Sequence, residues 1–375
     1  MTVLIKDLGP SANDLAWTAA QHKLAASDTI IGHIDTGLFP HPSLGYSNDT
    51  PPRNILSVRG MNFYDPGQNG PAPVTDLSKG SGLVDGLSEY PDHGVKTLSV
   101  ILSDNEHLRG VAPHAKIIPY RVANGPVFVG AAKTGSIGKA IRHGMSQATP
   151  PRVFSISMGN TGVTGLFEFL RVITGGAPGM QKQTTEAINE AYEAGIILVC
   201  AGGQVIDRVV YPARFPRTIA VGGITADETH YPETGYDAPH MIDVWAYASH
   251  INRAAGLRSH GAIVPIHADT PHPENKDDEP SGTSYACPQV AAAAAMWVTE
   301  HEQALNRFDQ RWKIVEAFRK ALRASAGTER LPLRRNATAS ENIRRLDINA
   351  LIKTPPDMTF SYQKAPAARQ YASWL

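Results

Sequence analysis

Five short apolar runs, at 29–34, 116–122, 152–158, 196–201 and 218–221, constrain the fold of this chain more than any other feature. They are rich in Ile and Val and bounded by turn residues, and they do not alternate apolar with polar. A strand with one wet face alternates, whereas a strand covered on both faces does not. The runs therefore predict the strands of a parallel sheet buried on both sides. Helical periods lie between them. Segment 95–103 follows a His-Gly pair, 136–146 sets Ile137, Ala140, Ile141 and Met145 on one face, and 184–193 does so with Ala187, Ile188 and Ala191. Two later helices are expected at 284–300 and 307–324. Strands alternating with helices mean βαβ units. The expected class is α/β, a doubly wound, mostly parallel sheet with helices on both faces.

The chain of 375 residues is long for one domain, but an α/β core with inserted loops reaches this size. Segments 49–90 and 265–279 read as such loops, and from Gly327 onward the sequence turns polar and rich in Arg and Pro. The expected division is a domain over 1–326, with its core at about 25–300, and an extension over 327–375 packed on that core. Lys plus Arg and Asp plus Glu both number 35, so the basic footprint of a nucleic-acid binder is missing. No apolar stretch approaches the roughly 20 residues of a membrane span. The N-terminal segment lacks a basic start and is interrupted by Asp7 and Asp14, unlike a secretory signal. Cys200 and Cys287 make no disulfide framework. These features lead to the expectation of a cytoplasmic protein without membrane or nucleic-acid partners.

Three segments carry chemistry. Asp35 closes the strand Ile-Gly-His-Ile-Asp35-Thr-Gly, His93 opens a helix in Asp-His93-Gly, and Ser284 opens another in Ser-Gly-Thr-Ser284-Tyr-Ala-Cys-Pro. Taken singly, each has an ordinary reading: a strand-end Asx turn, a helix-cap histidine and an N-cap serine. Together they supply what nucleophilic catalysis needs. A serine hydroxyl requires a base to take its proton as it attacks, imidazole does this near neutral pH, and a buried carboxylate holds the imidazole's tautomer and balances its charge.

In this order and context the three segments resemble the subtilisin-like serine proteases, the subtilases. Further segments carry the resemblance: Gly110-Val-Ala-Pro113, Ser155-Ile-Ser-Met-Gly159, the stretch 196–204, Tyr211-Pro212 and Ile219-Ala-Val-Gly222. The resemblance implies the subtilisin-like three-layer architecture over roughly 25–300. It implies a serine endopeptidase acting on protein or peptide through Asp35, His93 and Ser284. Gln204 stands where the family has an oxyanion-donating asparagine. Ser157, Met158 and Gly159 would offer backbone groups to an extended peptide, and Val210 would floor the pocket for the residue before the cut. No cofactor is expected for this chemistry. Structural calcium is common in the family, but no ligand set for it maps onto this sequence. The acidic run with His267, Asp269, His272, Asp277 and Asp278 reads as a solvated loop rather than a metal site.

The sequence also departs from the family pattern. Gln204 replaces asparagine, His93-Gly-Val-Lys96 replaces His-Gly-Thr-His, and Tyr285 follows the serine. With 34 positions before Asp35, no inhibitory pro-domain like that of secreted relatives is expected. Two other readings stay open. One is a catalytically impaired subtilase acting as a peptide-binding module. The other is a dedicated processing or peptide-transferring protease.

Overall fold

Successive side chains of a strand point to opposite faces, so an unalternating apolar run needs cover on both. The computed structural model describes residues 15–65, 92–105, 108–128, 134–160, 181–204, 209–225, 241–259, 262–267, 282–332 and 340–369. Its strands, in chain order, are β1 (Ile30–Asp35), β2 (Met61–Asn62), β3 (Lys116–Arg121), β4 (Val127–Phe128), β5 (Val153–Ile156), β6 (Gly159–Asn160) and β7 (Ile197–Ala201). There follow β8 (Ile219–Ile224), β9 (Val244–Tyr247), β10 (Ala254–Ser259), β11 (Ala262–His267), β12 (Gly327–Pro332) and β13 (Ser340–Arg345). The five apolar runs are thus β1, β3, β5, β7 and β8.

Among the described residues the main sheet has nine strands in the order β12-β13-β9-β8-β7-β5-β1-β3-β2. Every neighbouring pair is parallel except β12 with β13. Its two faces carry two apolar clusters. On one, Ile31, Ile117, Val153, Val199 and Val221 meet the helices Leu15–Ala26, His93–Leu102, Thr283–Glu300 and Lys313–Ser325. On the other, Ile30, Ile118, Phe154, Leu198 and Ala220 meet Gly135–Met145 and Lys182–Glu193. The layers are helix, sheet, helix. Each buried Ile or Leu contributes roughly 1.5–3 kcal/mol, so both faces stabilise the fold.

Helix Thr283–Glu300 runs through the middle of its layer, against β1, β5, β7, β8 and β9 and against the helices Leu15–Ala26, His93–Leu102 and Ile348–Lys353. Ala291 to Ala295 are fully buried. Small side chains allow this close approach, and an apolar surface all round marks a helix with no wet face. No helix of the described residues is long and apolar enough to cross a membrane.

The sequence reading assigns no strand to β9 through β13. β12 and β13, with sequences GTERLP and SENIRR, lie at the sheet edge. β12 is the edge strand, held by backbone bonds to β13 alone, and β13 pairs with β9 only at Arg345 beside Trp245, so neither needs an apolar run. The helix expected at 307–324 begins at Lys313, after a short helix Glu302–Leu305. Beyond β13 the chain straps over the helices. Trp297 Nε1 donates to Thr354 O at 2.8 Å, Ala365 N–H donates to Tyr192 Oη at 2.9 Å, and Asn189 pairs with both backbone groups of Ala368 at 2.9 Å.

Candidate active site

Adjacent strands of a parallel sheet end on one edge, and the loops leaving that edge form a crevice. Here β1 ends at Asp35, β5 leads into Ser157, Met158 and Gly159, and β7 leads into Gln204. Helices His93–Leu102 and Thr283–Glu300 begin at the same edge, and β7, β5 and β1 are neighbours. Residues up to 249 positions apart (284 − 35) are thus gathered from separate segments.

The small residues around Asp35 and His93 have a packing reason. A Cβ on Gly94 would lie 2.1 Å from the carbonyl oxygen of Gly37, so the two backbones touch. Gly94 N–H donates to Thr36 Oγ1 at 2.9 Å. Asp35-Thr-Gly and His93-Gly therefore form one packing unit, which sets His93 beside Asp35.

His93 Nδ1 lies 2.7 Å from Asp35 Oδ1. An ionised carboxylate only accepts, so Nδ1 carries the proton and Nε2 keeps its lone pair as a base. Asp35 is fully buried and His93 nearly so. Burial pushes the Asp35 carboxyl up, but the neighbouring His93, then His33 and the Thr36 N–H, outweigh it and hold Asp35 below its ordinary value. Asp35 is therefore charged at neutral pH. Thr36 N–H donates to its Oδ1 at 2.8 Å and Thr97 Oγ1 to its Oδ2 at 3.1 Å.

Ser284, partly exposed, is the second residue of its helix. Its Oγ donates to Ser157 O at 3.0 Å, and among the described residues it makes no hydrogen bond with His93. Gln204 reaches the same helix start. Its Oε1 accepts from Thr283 N–H at 2.7 Å and from Thr283 Oγ1 at 3.0 Å. Thr283 Oγ1 in turn accepts from Gly203 N–H at 3.2 Å. With the carboxamide oxygen committed, Nε2 is its remaining donor. Gly282, two residues before Ser284, has φ +154, a conformation that favours glycine, and packs against the Gln204 carboxamide.

An open cleft of about 410 Å³ is lined by Ser157, Met158, Gly159, Gln204, Val210 and Ser284, among others. Val210 is wedged between two glycines. A Cβ on Gly159 would lie 2.4 Å from its Cγ2, and one on Gly203 would lie 2.5 Å from its Cγ1. The Gly159 N–H donates to Pro126 O at 2.8 Å, where β6 pairs with β4. Both thiols are fully buried, and burial pushes Cys200 well up and Cys287 up to about 11. Among the described residues no three His, Cys, Asp or Glu side chains gather to hold a metal. Of the segment 265–279 expected as a loop, residues 265–267 instead end β11, paired with β10, and 268–279 lie outside the described residues.

Sequence reasoning did not single out Thr283, Thr97 or His33. Thr283 sits inside the Gly-Thr-Ser284 motif and could have been flagged by position. For His33 and Thr97 the only signal is spacing, two before Asp35 on a strand and four after His93 on a helix.

Over residues 26–341 the sequence matches the family model described as the subtilase family. It is 24% identical over 234 residues to the major intracellular serine protease of Bacillus subtilis, covering 60% of this chain and 61% of that protein. That alignment spans less than two thirds of the relative's length. The fold is shared with the prenylagaramide maturation protease PagA, with a TM-score of 0.57 at 16% identity, over 90% of this chain and 97% of that one. It is also shared with a protease from Pseudoalteromonas arctica, with a TM-score of 0.60 at 18% identity, over 90% and 93% of the two chains.

Proposed function

This chain belongs to the subtilase family, and from that premise we propose that it is a serine endopeptidase using Asp35, His93 and Ser284. The 2.7 Å contact between Asp35 and the Nδ1 of His93, which keeps Nε2 as the base, is the observation that carries the reading. Ser284 would turn from Ser157 O toward His93, give its proton to Nε2 and bond through Oγ to the peptide carbonyl carbon. The carbonyl oxygen takes the negative charge, facing the Ser284 backbone N–H and the Gln204 Nε2. Collapse breaks the C–N bond, and the leaving amine takes the proton from His93. Water then repeats the sequence on the acyl-enzyme and frees Ser284. Asp35 keeps the imidazole oriented and offsets its transient charge. A substrate strand docking along Ser157, Met158 and Gly159 would exchange with β4 for the Gly159 N–H.

The test is to treat the protein with a fluorophosphonate and, separately, with a denatured protein substrate. Labelling with broad cleavage supports the endopeptidase. Labelling with turnover of one peptide only, resolved by an amine, points to a dedicated processing or transferring protease. Peptide binding without labelling means the catalytic reading is wrong.

Oxyanion charge develops only as the tetrahedral species forms, so a donor to it acts on kcat rather than KM. Gln204→Ala is expected to lose roughly 10²–10³ in kcat with KM little changed. Unchanged kcat in steady-state assays would remove Gln204 from the mechanism.

Val210 supports a short pocket, since its methyl groups fill the space between Gly159 and Gly203. Small and medium apolar residues should be preferred before the cut. Val210→Gly should raise kcat/KM for a Phe peptide by roughly tenfold or more, the scale of a few methylenes in an apolar pocket. Equal rates for Ala and Phe peptides in the unaltered protein would contradict the pocket assignment.

A further inference from the structure

Behind the Asp35–His93 pair lies a second pair that two periodicities bring together. In β1, His33 precedes Asp35 by two and shares its face; in helix His93–Leu102, Thr97 follows His93 by four and shares its face. Strand and helix pack face to face, so the residues form two rungs. The upper rung is Asp35 with His93. The lower is His33 with Thr97, whose Nε2 and Oγ1 are 2.9 Å apart. Thr97 Oγ1 ties the rungs together, 3.1 Å from Asp35 Oδ2. All four residues are buried, with at most 5% of any exposed.

Proton counting sets the direction of these bonds. Asp35 Oδ1 takes the protons of His93 Nδ1 and Thr36 N. Among the described residues Oδ2 has one donor, Thr97. A helical threonine ordinarily bonds its own turn, and the carbonyls of His93 and Gly94 lie 3.2 and 3.3 Å from Oγ1. The carboxylate wins, because a charged acceptor makes the stronger bond and because a buried Oδ2 without a donor costs more than a lost back-bond. With its proton spent on Asp35, Thr97 Oγ1 can only accept from His33, so His33 carries its proton on Nε2. Burial, countered in part by Asp35 and aided by His93, lowers His33 to about 4, so it stands neutral and leaves the Asp35 charge undiminished for His93.

We propose that His33 and Thr97 are positioning residues that extend the catalytic pair into a hydrogen-bonded chain, His33–Thr97–Asp35–His93, fixing the edge of the Asp35 carboxylate that His93 does not touch. The role in catalysis rests on the triad reading above; the chain itself does not. A carboxylate held on one edge only can rock about its Cβ–Cγ bond, and the imidazole rocks with it. Held on both edges, it presents Nε2 in one orientation.

The test uses the full chain. Thr97→Val keeps the shape and removes the hydroxyl, and it should lower kcat by roughly ten- to a hundredfold, the scale seen when the outer hydrogen-bond partner of a metal-ligating side chain is lost, with KM unchanged. Thr97→Ser should recover most of that loss. His33→Leu added to Thr97→Val should cost little more than Thr97→Val alone, because the two act as one unit. The downfield proton resonance of His93 Nδ1–H reads the chain without turnover; it should move in Thr97→Val and stay in Thr97→Ser. Parent-like kcat in Thr97→Val, equal loss in Thr97→Ser, or an unmoved resonance would each overturn the proposal. If the resonance moves but the parent protein takes no fluorophosphonate, the chain stands and the peptidase reading falls.

Discussion

Ser284→Ala is expected to lose roughly 10⁶ in turnover, the scale seen when the nucleophile of such a triad is removed, while still binding peptide. Among the described residues no other group at the helix start can replace it. The Thr283 hydroxyl is engaged with Gln204 and Gly203. The Cys287 thiol is fully buried and pushed up to about 11, far from the thiolate. The substitution should leave the fold intact. Among the described residues Ser284 Oγ makes one hydrogen bond, to Ser157 O, worth roughly 0.5–1.5 kcal/mol, and alanine is the best helix former. Fluorophosphonate labelling followed by peptide mass mapping checks the assignment. A label on another residue, or one that survives the substitution, would sink it.

Asp35→Asn should cost roughly 10⁴ in kcat, the scale seen when the acidic member of such a triad is removed, almost all through charge. The Thr36 N–H and His93 Nδ1–H both point at the Oδ1 position. Among the described residues Thr97 alone faces the other edge, and its hydroxyl can turn to the carbonyl of His93 or Gly94. The asparagine amide should therefore set its oxygen toward His93 and its NH₂ toward Thr97. That keeps the imidazole tautomer but removes the counter-charge, so the imidazolium of the transition state goes unsupported. KM should change little, since Asp35 is fully buried and does not line the cleft. A variant with near-parent kcat would mean that the Asp35 charge is not used.

Motifs were legible where the chemistry is local. Asp35, His93 and Ser284 each sit at the end or start of an element, beside glycines whose presence is legible but whose reason lies in distant segments. Gly94 must admit the Gly37 carbonyl, and Gly282 adopts a φ of +154 that favours glycine. Gln204 was legible as a substitution but not as a geometry. Nothing in a linear string says that Thr283 will take the oxygen end of its amide and leave the nitrogen.

The sequence by itself determined the layer type. Unalternating Ile/Val runs cannot leave either face in water, so β1, β3, β5, β7 and β8 had to lie inside a parallel sheet covered by helices. Burial is a property of each run and can be read one segment at a time. Only the tertiary structure decided that polar β12 and β13 extend that sheet, that Val210 wedges between Gly159 and Gly203, and that His33 meets Thr97. Each of these depends on the register between segments distant in the chain. A shift of one residue on a strand sends a side chain to the opposite face, so such contacts exist only after the layers have packed.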